Sequence, residues 1–124
     1  MTKRKPIPQK IRKQVYEKYN GHCAYCGCDL EYKDMQVDHI TPLYWHDGEN
    51  SIENYMPACR MCNFYKSTMT VEKFRQNIQT LHDRLERSFI YRLAKRYGII
   101  TEHKDQIVFY FEKEEEPTLF GQEE

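Results

Sequence analysis

Residues 37–66 read VDHITPLYWHDGENSIENYMPACRMCNFYK, and this stretch decides the fold. It begins with a carboxylate beside an imidazole, Asp38-His39, and it ends with Cys59-x-x-Cys62, which an asparagine follows directly. Thiolates are soft ligands that select zinc, whereas carboxylate and amide oxygens are hard ligands that suit magnesium or manganese. The stretch therefore contains the ligand types of two metal sites, and we predict a structural zinc site that supports a catalytic one.

A second cysteine pair, Cys23-x-x-Cys26, lies upstream of this stretch. Two such knuckles in one short chain seldom arise by chance, and they predict tetrahedral zinc coordination by Cys23, Cys26, Cys59 and Cys62. The zinc would then close over an inserted element that holds the carboxylate and the imidazole. The fifth cysteine, Cys28, is interpreted as a small residue near the surface, and a role as an alternative ligand stays open.

The length of 124 residues predicts one domain with a modest core, assisted by a metal clamp. We expect a single domain over residues 1–112, with a core motif at 20–67 and an extension at 70–112. Residues 113–124 are rich in glutamate and predict a disordered acidic tail.

Composition excludes some classes of protein. A charged content of 31% and a mean hydropathy of −0.89 leave no candidate for a membrane span. The first ten residues are basic but contain no apolar run typical of a signal peptide. Because four of the five cysteines form metal-type pairs, a reducing compartment is expected, and we predict a cytoplasmic location.

The net charge of zero argues neither for nor against a nucleic-acid partner, but the distribution of charge is informative. Residues 1–20 are strongly basic and residues 112–124 are strongly acidic. A neutral chain can thus present a basic face to phosphate. The basic residues of the first segment are interpreted either as a solvated face or as phosphate contacts.

Local patterns predict an α+β fold built on a small zinc-stapled ββα-metal unit. An N-terminal helix is expected to start near Pro8, and the C-terminal helical segment is expected to be either one long helix or two helices separated near Ser88. The C-terminal run QIVFYFE, residues 106–112, is rich in β-formers and predicts one strand. The central unit is predicted from a strand at 35–40, a loop at 43–50, a strand at 54–58 and a helix at 60–67.

These motifs together resemble the HNH endonuclease family in its four-cysteine form. The residues that carry the resemblance are Cys23-x-x-Cys26, Val37-Asp38-His39-Ile40-x-Pro42, Glu53-Asn54 and Cys59-x-x-Cys62-Asn63-x-x-Lys66. With an asparagine at the third position, the set is the His-Asn-Asn variant, and it is similar to small HNH proteins of bacteria and their phages. In place of the family's frequent Gly-Gly, the loop carries His46-Asp47-Gly48.

The resemblance implies a metal-dependent endonuclease that nicks or cuts duplex DNA. His39 would be the general base, since an ordinary histidine pKa of about 6.5 suits proton abstraction near neutral pH. Asp38 and Asn63 would hold one Mg²⁺ or Mn²⁺, leaving the rest of the coordination shell to water and phosphate oxygens. Asn54 would hold the loop and orient the base.

Two cations of the last motif, Arg60 and Lys66, are candidate contacts to DNA phosphates because they lie beside the predicted catalytic residues. The alternative is that both are solvated. Two other functions stay open on the sequence: a zinc-stapled DNA-binding module without catalysis, and a protein-interaction domain such as a phage-encoded inhibitor. The oxygen-ligand pair favours the nuclease, because a binding module does not need hard-metal ligands.

Overall fold

The computed structural model describes residues 6–43 and 46–115. Within these ranges there are six α-helices, two short 3₁₀ helices (Tyr32–Asp34 and Ile52–Asn54) and one two-stranded sheet. The α-helices are α1 (Gln9–Glu17), α2 (Arg60–Lys66), α3 (Val71–Gln79), α4 (Leu81–Leu85), α5 (Phe89–Arg96) and α6 (Tyr110–Glu115), and the strands are β1 (Gln36–His39) and β2 (Tyr55–Ala58). This combination confirms the predicted α+β class.

The centre of the fold is an antiparallel pair, β1 with β2, in which Gln36 faces Ala58 and His39 faces Tyr55. Every residue of β2 is buried, and only Gln36 of β1 is not. Helix α2 begins at Arg60, directly after the sheet. The predicted strand–loop–strand–helix order is therefore the observed one, and it places the end of β1 beside α2.

Two cations attach helix α1 to the ββα unit: Arg12 within the helix and Lys18 directly after it. The Arg12 guanidinium donates to the carbonyl oxygens of Tyr32 and Met35, each at 2.9 Å. The Lys18 ammonium donates to the carbonyl oxygens of Ile52 and Tyr55 at 3.0 and 2.7 Å. Both side chains thus donate to backbone carbonyl groups within the fold. For these two residues, neither of the two interpretations, a solvated face or phosphate contacts, applies.

The predicted C-terminal strand at 106–112 is wrong. Residues 106–109 form no strand, and helix α6 begins at Tyr110. The backbone N–H groups of Tyr110 and Phe111 donate to the carbonyl oxygens of Tyr25 and Ala24, so no sheet ladder forms there. The Glu112 carboxylate accepts from the Phe109 N–H at 2.8 Å, an interaction typical of helix starts.

Helix α6 continues to Glu115, three residues into the segment predicted to be an acidic tail, and residues 116–124 lie outside the described part of the chain. In the C-terminal helical segment, Ser88 caps α5 through a hydrogen bond from the Tyr91 N–H to its hydroxyl. This is the division expected near Ser88. A second break separates α3 from α4, so the segment contains three helices.

The chain divides into two compact units, one of residues 1–71 and 108–124 and the other of residues 72–107. The first contains the ββα unit, and the second contains α4, α5 and most of α3. The single domain expected over residues 1–112 stays a prediction. In the described part of the chain, no helix combines the length and the apolar character that crossing a membrane requires.

Candidate metal and catalytic site

The four predicted zinc ligands converge. The sulfur atoms of Cys23, Cys26, Cys59 and Cys62 all lie within 4.8 Å of one another, and those of Cys26 and Cys59 are 3.8 Å apart. A tetrahedral ion with Zn–S bonds of about 2.3 Å requires sulfur–sulfur distances of about 3.8 Å. The cluster therefore has the size and the ligand type that a zinc ion needs. Cys28 is exposed and is not a member of it.

Each knuckle also directs a backbone N–H group at its own sulfur. The Tyr25 N–H donates to the Cys23 sulfur and the Cys62 N–H donates to the Cys59 sulfur, both at 3.4 Å. A hydrogen bond from the Cys62 thiol lowers the pKa of Cys23 to about 4. Because the thiolate is the form that binds metal, these contacts prepare the cluster for a cation.

A cleft of about 400 Å³ lies between the end of β1 and helix α2. It is lined by His39, the predicted base, and by Asp38 and Asn63, the predicted magnesium ligands. The remaining lining residues are Pro42, Leu43, Ser67 and Thr68. The fold therefore brings one carboxylate, one imidazole and one amide into a common space, although Asn63 is far from the other two in sequence.

Asp38 is 3% exposed, and its polar contacts among the described residues all go to one oxygen. The Tyr25 hydroxyl donates to Oδ2 at 2.5 Å, and the Lys66 ammonium lies 3.0 Å from the same atom. Burial raises the pKa of the Asp38 carboxyl, and the Lys66 ammonium opposes that rise. Burial also raises the pKa of the Tyr25 hydroxyl, so this group stays a donor.

The structure corrects the expected role of Lys66. Its side chain is fully buried, and its ammonium also donates to the carbonyl oxygen of His39 at 3.0 Å. A cation without access to solvent cannot reach a DNA phosphate, so Lys66 is an internal partner of Asp38. Burial lowers the pKa of Lys66, and the Asp38 carboxylate opposes that change.

His39 is 4% exposed, and its Nε2 lies 3.0 Å from the Oδ1 of Asn50. An amide oxygen only accepts hydrogen bonds, so Nε2 carries the proton and Nδ1 is the acceptor of the neutral ring. The Tyr55 ring packs edge-on against the imidazole, at 5.3 Å between ring centroids. The His39 ring is thus oriented from two sides, by the Asn50 amide and by the Tyr55 ring.

Asn54 holds the loop that precedes it. Its amide oxygen accepts from the Thr41 N–H at 2.9 Å, and its amide nitrogen donates to the carbonyl oxygens of Thr41 and Glu49. Because Glu49 is the neighbour of Asn50, this bridge places Asn50 opposite His39. The loop bond expected of Asn54 is present, whereas the side-chain contact to the imidazole comes from Asn50.

Gly48 is required by the close return of this loop. A Cβ atom at position 48 would lie 1.8 Å from the carbonyl oxygen of Thr41, and the Gly48 N–H donates to that of Pro42 at 2.9 Å. Only a glycine fits here, because the backbone at position 48 packs directly against the backbone of Thr41. His46 is exposed and is not among the cleft-lining residues.

The exposed side of α2 carries Arg60 together with large apolar side chains. Met61 is 80% exposed and Phe64 is 84% exposed. Arg60 lies one turn before Asn63, and residues three apart on a helix are neighbours. Arg60 is therefore an exposed cation on the helix that contributes Asn63 to the cleft.

Three features of this site have no motif in the sequence: the contacts of Tyr25, the contact of Asn50 and the burial of Lys66. By pattern alone, Tyr25 is a spacer within a knuckle and Asn50 is part of a loop turn. One sequence signal could have indicated the role of Tyr25. A tyrosine between two zinc-type cysteines is expected to be buried, and its hydroxyl then needs a hydrogen-bond partner.

Comparison with known proteins agrees with this geometry. Residues 23–68 match the sequence model of the family described as HNH endonuclease. The likeness to the HNH endonuclease family is thus confined to 46 of the 124 residues. The match includes both cysteine knuckles, the cleft residues and the loop between them, which supports a nuclease function in general terms.

Relatives of this HNH segment are larger proteins. The chain is 35% identical over 52 residues to a CRISPR-associated endonuclease Cas9 of Corynebacterium diphtheriae, covering 42% of this chain and 5% of the relative. It is 30% identical over 67 residues to the SPbeta prophage-derived putative HNH endonuclease YoqL of Bacillus subtilis. That match covers 45% of this chain and 27% of the relative. The chain therefore spans about a quarter or less of the length of these relatives.

A solved structure shares the fold of the HNH segment. The crystal structure of the Type II-C Cas9 enzyme from Actinomyces naeslundii matches with a TM-score of 0.50 and 29% identity. The match covers 55% of this chain and 8% of the Cas9 chain.

Proposed function

We propose that this chain is a metal-dependent DNA endonuclease that hydrolyses phosphodiester bonds, with His39 as general base. The observation that carries the proposal is the convergence of Asp38, His39 and Asn63 on one cleft of about 400 Å³. A carboxylate, a neutral imidazole and an amide in one space are the groups that metal-assisted hydrolysis uses. A binding module has no need for this set.

His39 would take a proton from a water molecule at Nδ1, because Asn50 keeps the proton of the neutral ring on Nε2. The water oxygen would then form a bond to phosphorus while the bond from phosphorus to the 3′ oxygen breaks. The phosphate stays on the 5′ end, and the 3′ oxygen takes its proton from solvent. Asn54 and Asn50 maintain the orientation of the base during this transfer.

Asp38 and Asn63 are the residues that would hold a magnesium or manganese ion. They fit such an ion because both line the cleft with oxygen-bearing side chains, and two protein ligands are typical of magnesium sites that retain water. When bound, the ion would supply charge neutralisation at the phosphate and at the leaving oxygen. Zinc in the cysteine cluster would have a structural role, and Arg60 would contact a neighbouring phosphate.

The test is a cleavage assay on supercoiled plasmid DNA with zinc-loaded protein, with Mg²⁺ or with EDTA. Wild-type protein should cleave only with Mg²⁺ and leave 5′-phosphate ends. His39→Ala should cleave about 10²- to 10⁴-fold more slowly, because it loses the base, while it still binds DNA and zinc. Asp38→Ala should lose activity as well, and higher Mg²⁺ concentrations should restore part of it.

The matched control is Glu49→Ala, a change in the same loop that leaves the Glu49 carbonyl oxygen in place, and it should cleave like wild type. Equal rates in His39→Ala and wild type would show that His39 is structural. Wild-type protein that binds duplex DNA and never cleaves it would favour the zinc-stapled binding module instead.

A further inference from the structure

The Asp38 carboxylate is held by one group inside the first cysteine knuckle and by another at the end of the helix that starts in the second. The Tyr25 hydroxyl comes from within the first knuckle, between Cys23 and Cys26. The Lys66 ammonium comes from the end of α2, the helix that starts in the second knuckle. Both contact Oδ2, at 2.5 and 3.0 Å.

Contacts to a single oxygen restrict the rotation of a carboxylate. If Asp38 turned about its side-chain bond, it would break both contacts, and the ammonium would be left buried without its charge partner. The hydrogen bonds and ion pairs of Asp38 in the described part of the chain all reach Oδ2. Because Asp38 lines the cleft, Oδ1 is the oxygen that remains available there.

The Tyr25 hydroxyl is itself fixed in place. The tyrosine is 2% exposed, and its ring packs edge-on against Phe109 and Phe111 at 5.4 and 6.1 Å between centroids. Its backbone N–H donates to the Cys23 sulfur, and its carbonyl oxygen accepts from the Tyr110 N–H. The hydroxyl therefore moves only if the knuckle moves.

We infer that Tyr25 and Lys66 are positioning residues, which bind one oxygen of Asp38 so that the other is presented to the catalytic metal ion. This inference rests on the proposed function, since it takes Asp38 as a metal ligand. It gives the cysteine cluster a second role, because the knuckle that closes around zinc also sets the carboxylate of the neighbouring site.

The alternative interpretation is that Asp38 and Lys66 form a buried ion pair whose only role is in folding. The two readings differ in what happens to metal affinity when the hydroxyl is removed but the fold is kept. Tyr25→Phe removes only the hydroxyl and retains the ring contacts to Phe109 and Phe111. Tyr16→Phe is the matched control, because it removes a hydroxyl that donates to the Leu30 carbonyl oxygen at 2.7 Å.

The experiment measures Mn²⁺ binding by electron paramagnetic resonance of the free ion, without DNA, on protein that carries one zinc per chain. We expect the dissociation constant for Mn²⁺ to rise about 10- to 100-fold in Tyr25→Phe, which is the usual loss when a partner of a metal ligand is removed. Tyr16→Phe should bind Mn²⁺ like wild type. In an Asp38→Ala background, Tyr25→Phe should have no further effect, because the two residues act through one carboxylate.

Two results would overturn the inference. If wild type binds Mn²⁺ through Asp38 and Tyr25→Phe binds it equally well, the positioning role is wrong while the proposed function stands. If Asp38→Ala and wild type bind Mn²⁺ alike, the carboxylate is not a metal ligand, and the metal site of the proposed function falls together with the inference.

Discussion

Asn50 is a side-chain partner of the His39 imidazole. Nε2 of the imidazole lies 3.0 Å from the Asn50 amide oxygen, so that oxygen selects the tautomer with its acceptor at Nδ1. Asn50 is itself placed by the bond from the Asn54 amide to the Glu49 carbonyl oxygen at 2.8 Å. One asparagine thus holds the loop while another orients the ring.

Asn50→Ala should slow cleavage without loss of the fold. Part of the roughly 10²- to 10⁴-fold contribution of a positioned base should disappear, because the ring loses the group that fixes its tautomer. The measurement is a single-turnover rate at saturating DNA and Mg²⁺. Asn50→Asp should retain more activity than Asn50→Ala, since a carboxylate also accepts from Nε2. Unchanged rates in Asn50→Ala would remove this role.

At this scale the sequence predicts the residues of the short motifs but not their partners. Asp38, His39 and Asn63 meet in one cleft, as their motif indicates. Tyr25 and Asn50 act through contacts between segments that are 13 and 11 residues apart. Such contacts depend on how the knuckle and the loop return to β1, and residue type alone does not specify that.

Helix α2 is the element that connects the cysteine cluster, the cleft and the surface. Successive residues of a helix are rotated by about 100°, so the residues of this short helix face several directions. Cys62 faces the other sulfurs, Asn63 faces the cleft, Lys66 is buried against Asp38, and Arg60 is exposed. A helix of this length can therefore align a phosphate contact with a metal ligand.

Arg60 is the cation of α2 that is exposed to solvent. Because the guanidinium is exposed one turn from Asn63, Arg60→Ala should weaken binding to all duplex sequences alike. It should also reduce the slope of log affinity against log salt by about one. Fluorescence anisotropy with a labelled duplex at several KCl concentrations measures both quantities. Lys33→Ala, a change of a cation in the segment before β1 and not on α2, is the control. An unchanged salt slope would contradict the phosphate contact.

The ββα elements were predictable because their hydrophobic pattern and the cysteine spacing agree. The strand predicted at residues 106–112 does not form, although this run is rich in β-formers. There the N–H groups of Tyr110 and Phe111 bind carbonyl groups of the first knuckle, and Glu112 caps the start of α6. Tertiary hydrogen bonds thus override local propensity, as they often do in short segments with few pairing partners.

Three segments that are distant in sequence meet at the first knuckle. Residues 23–26 and 59–62 supply the cysteine sulfurs, and residues 109–111 supply aromatic rings and backbone donors to Tyr25 and its neighbour. The family match ends at residue 68, before the unit of residues 72–107. The cysteine cluster therefore lies in the same unit as the cleft, and a zinc ion bound there would stabilise that unit.

We therefore expect loss of the zinc site to unfold the catalytic unit, because binding free energy at such a site is folding free energy. Cys59→Ser should lose bound zinc and lower the melting midpoint by roughly 15 °C or more, since each kcal/mol corresponds to about 4–8 °C in a domain of this size. Mass spectrometry of bound metal and thermal circular dichroism measure the two effects. Cys28→Ser is the matched control, and it should keep one zinc per chain and the wild-type midpoint, because Cys28 is exposed and outside the cluster. A Cys59→Ser protein that melts like wild type would show that the ββα unit folds on its apolar core alone, and the coupling between the knuckle and the cleft would then need another origin.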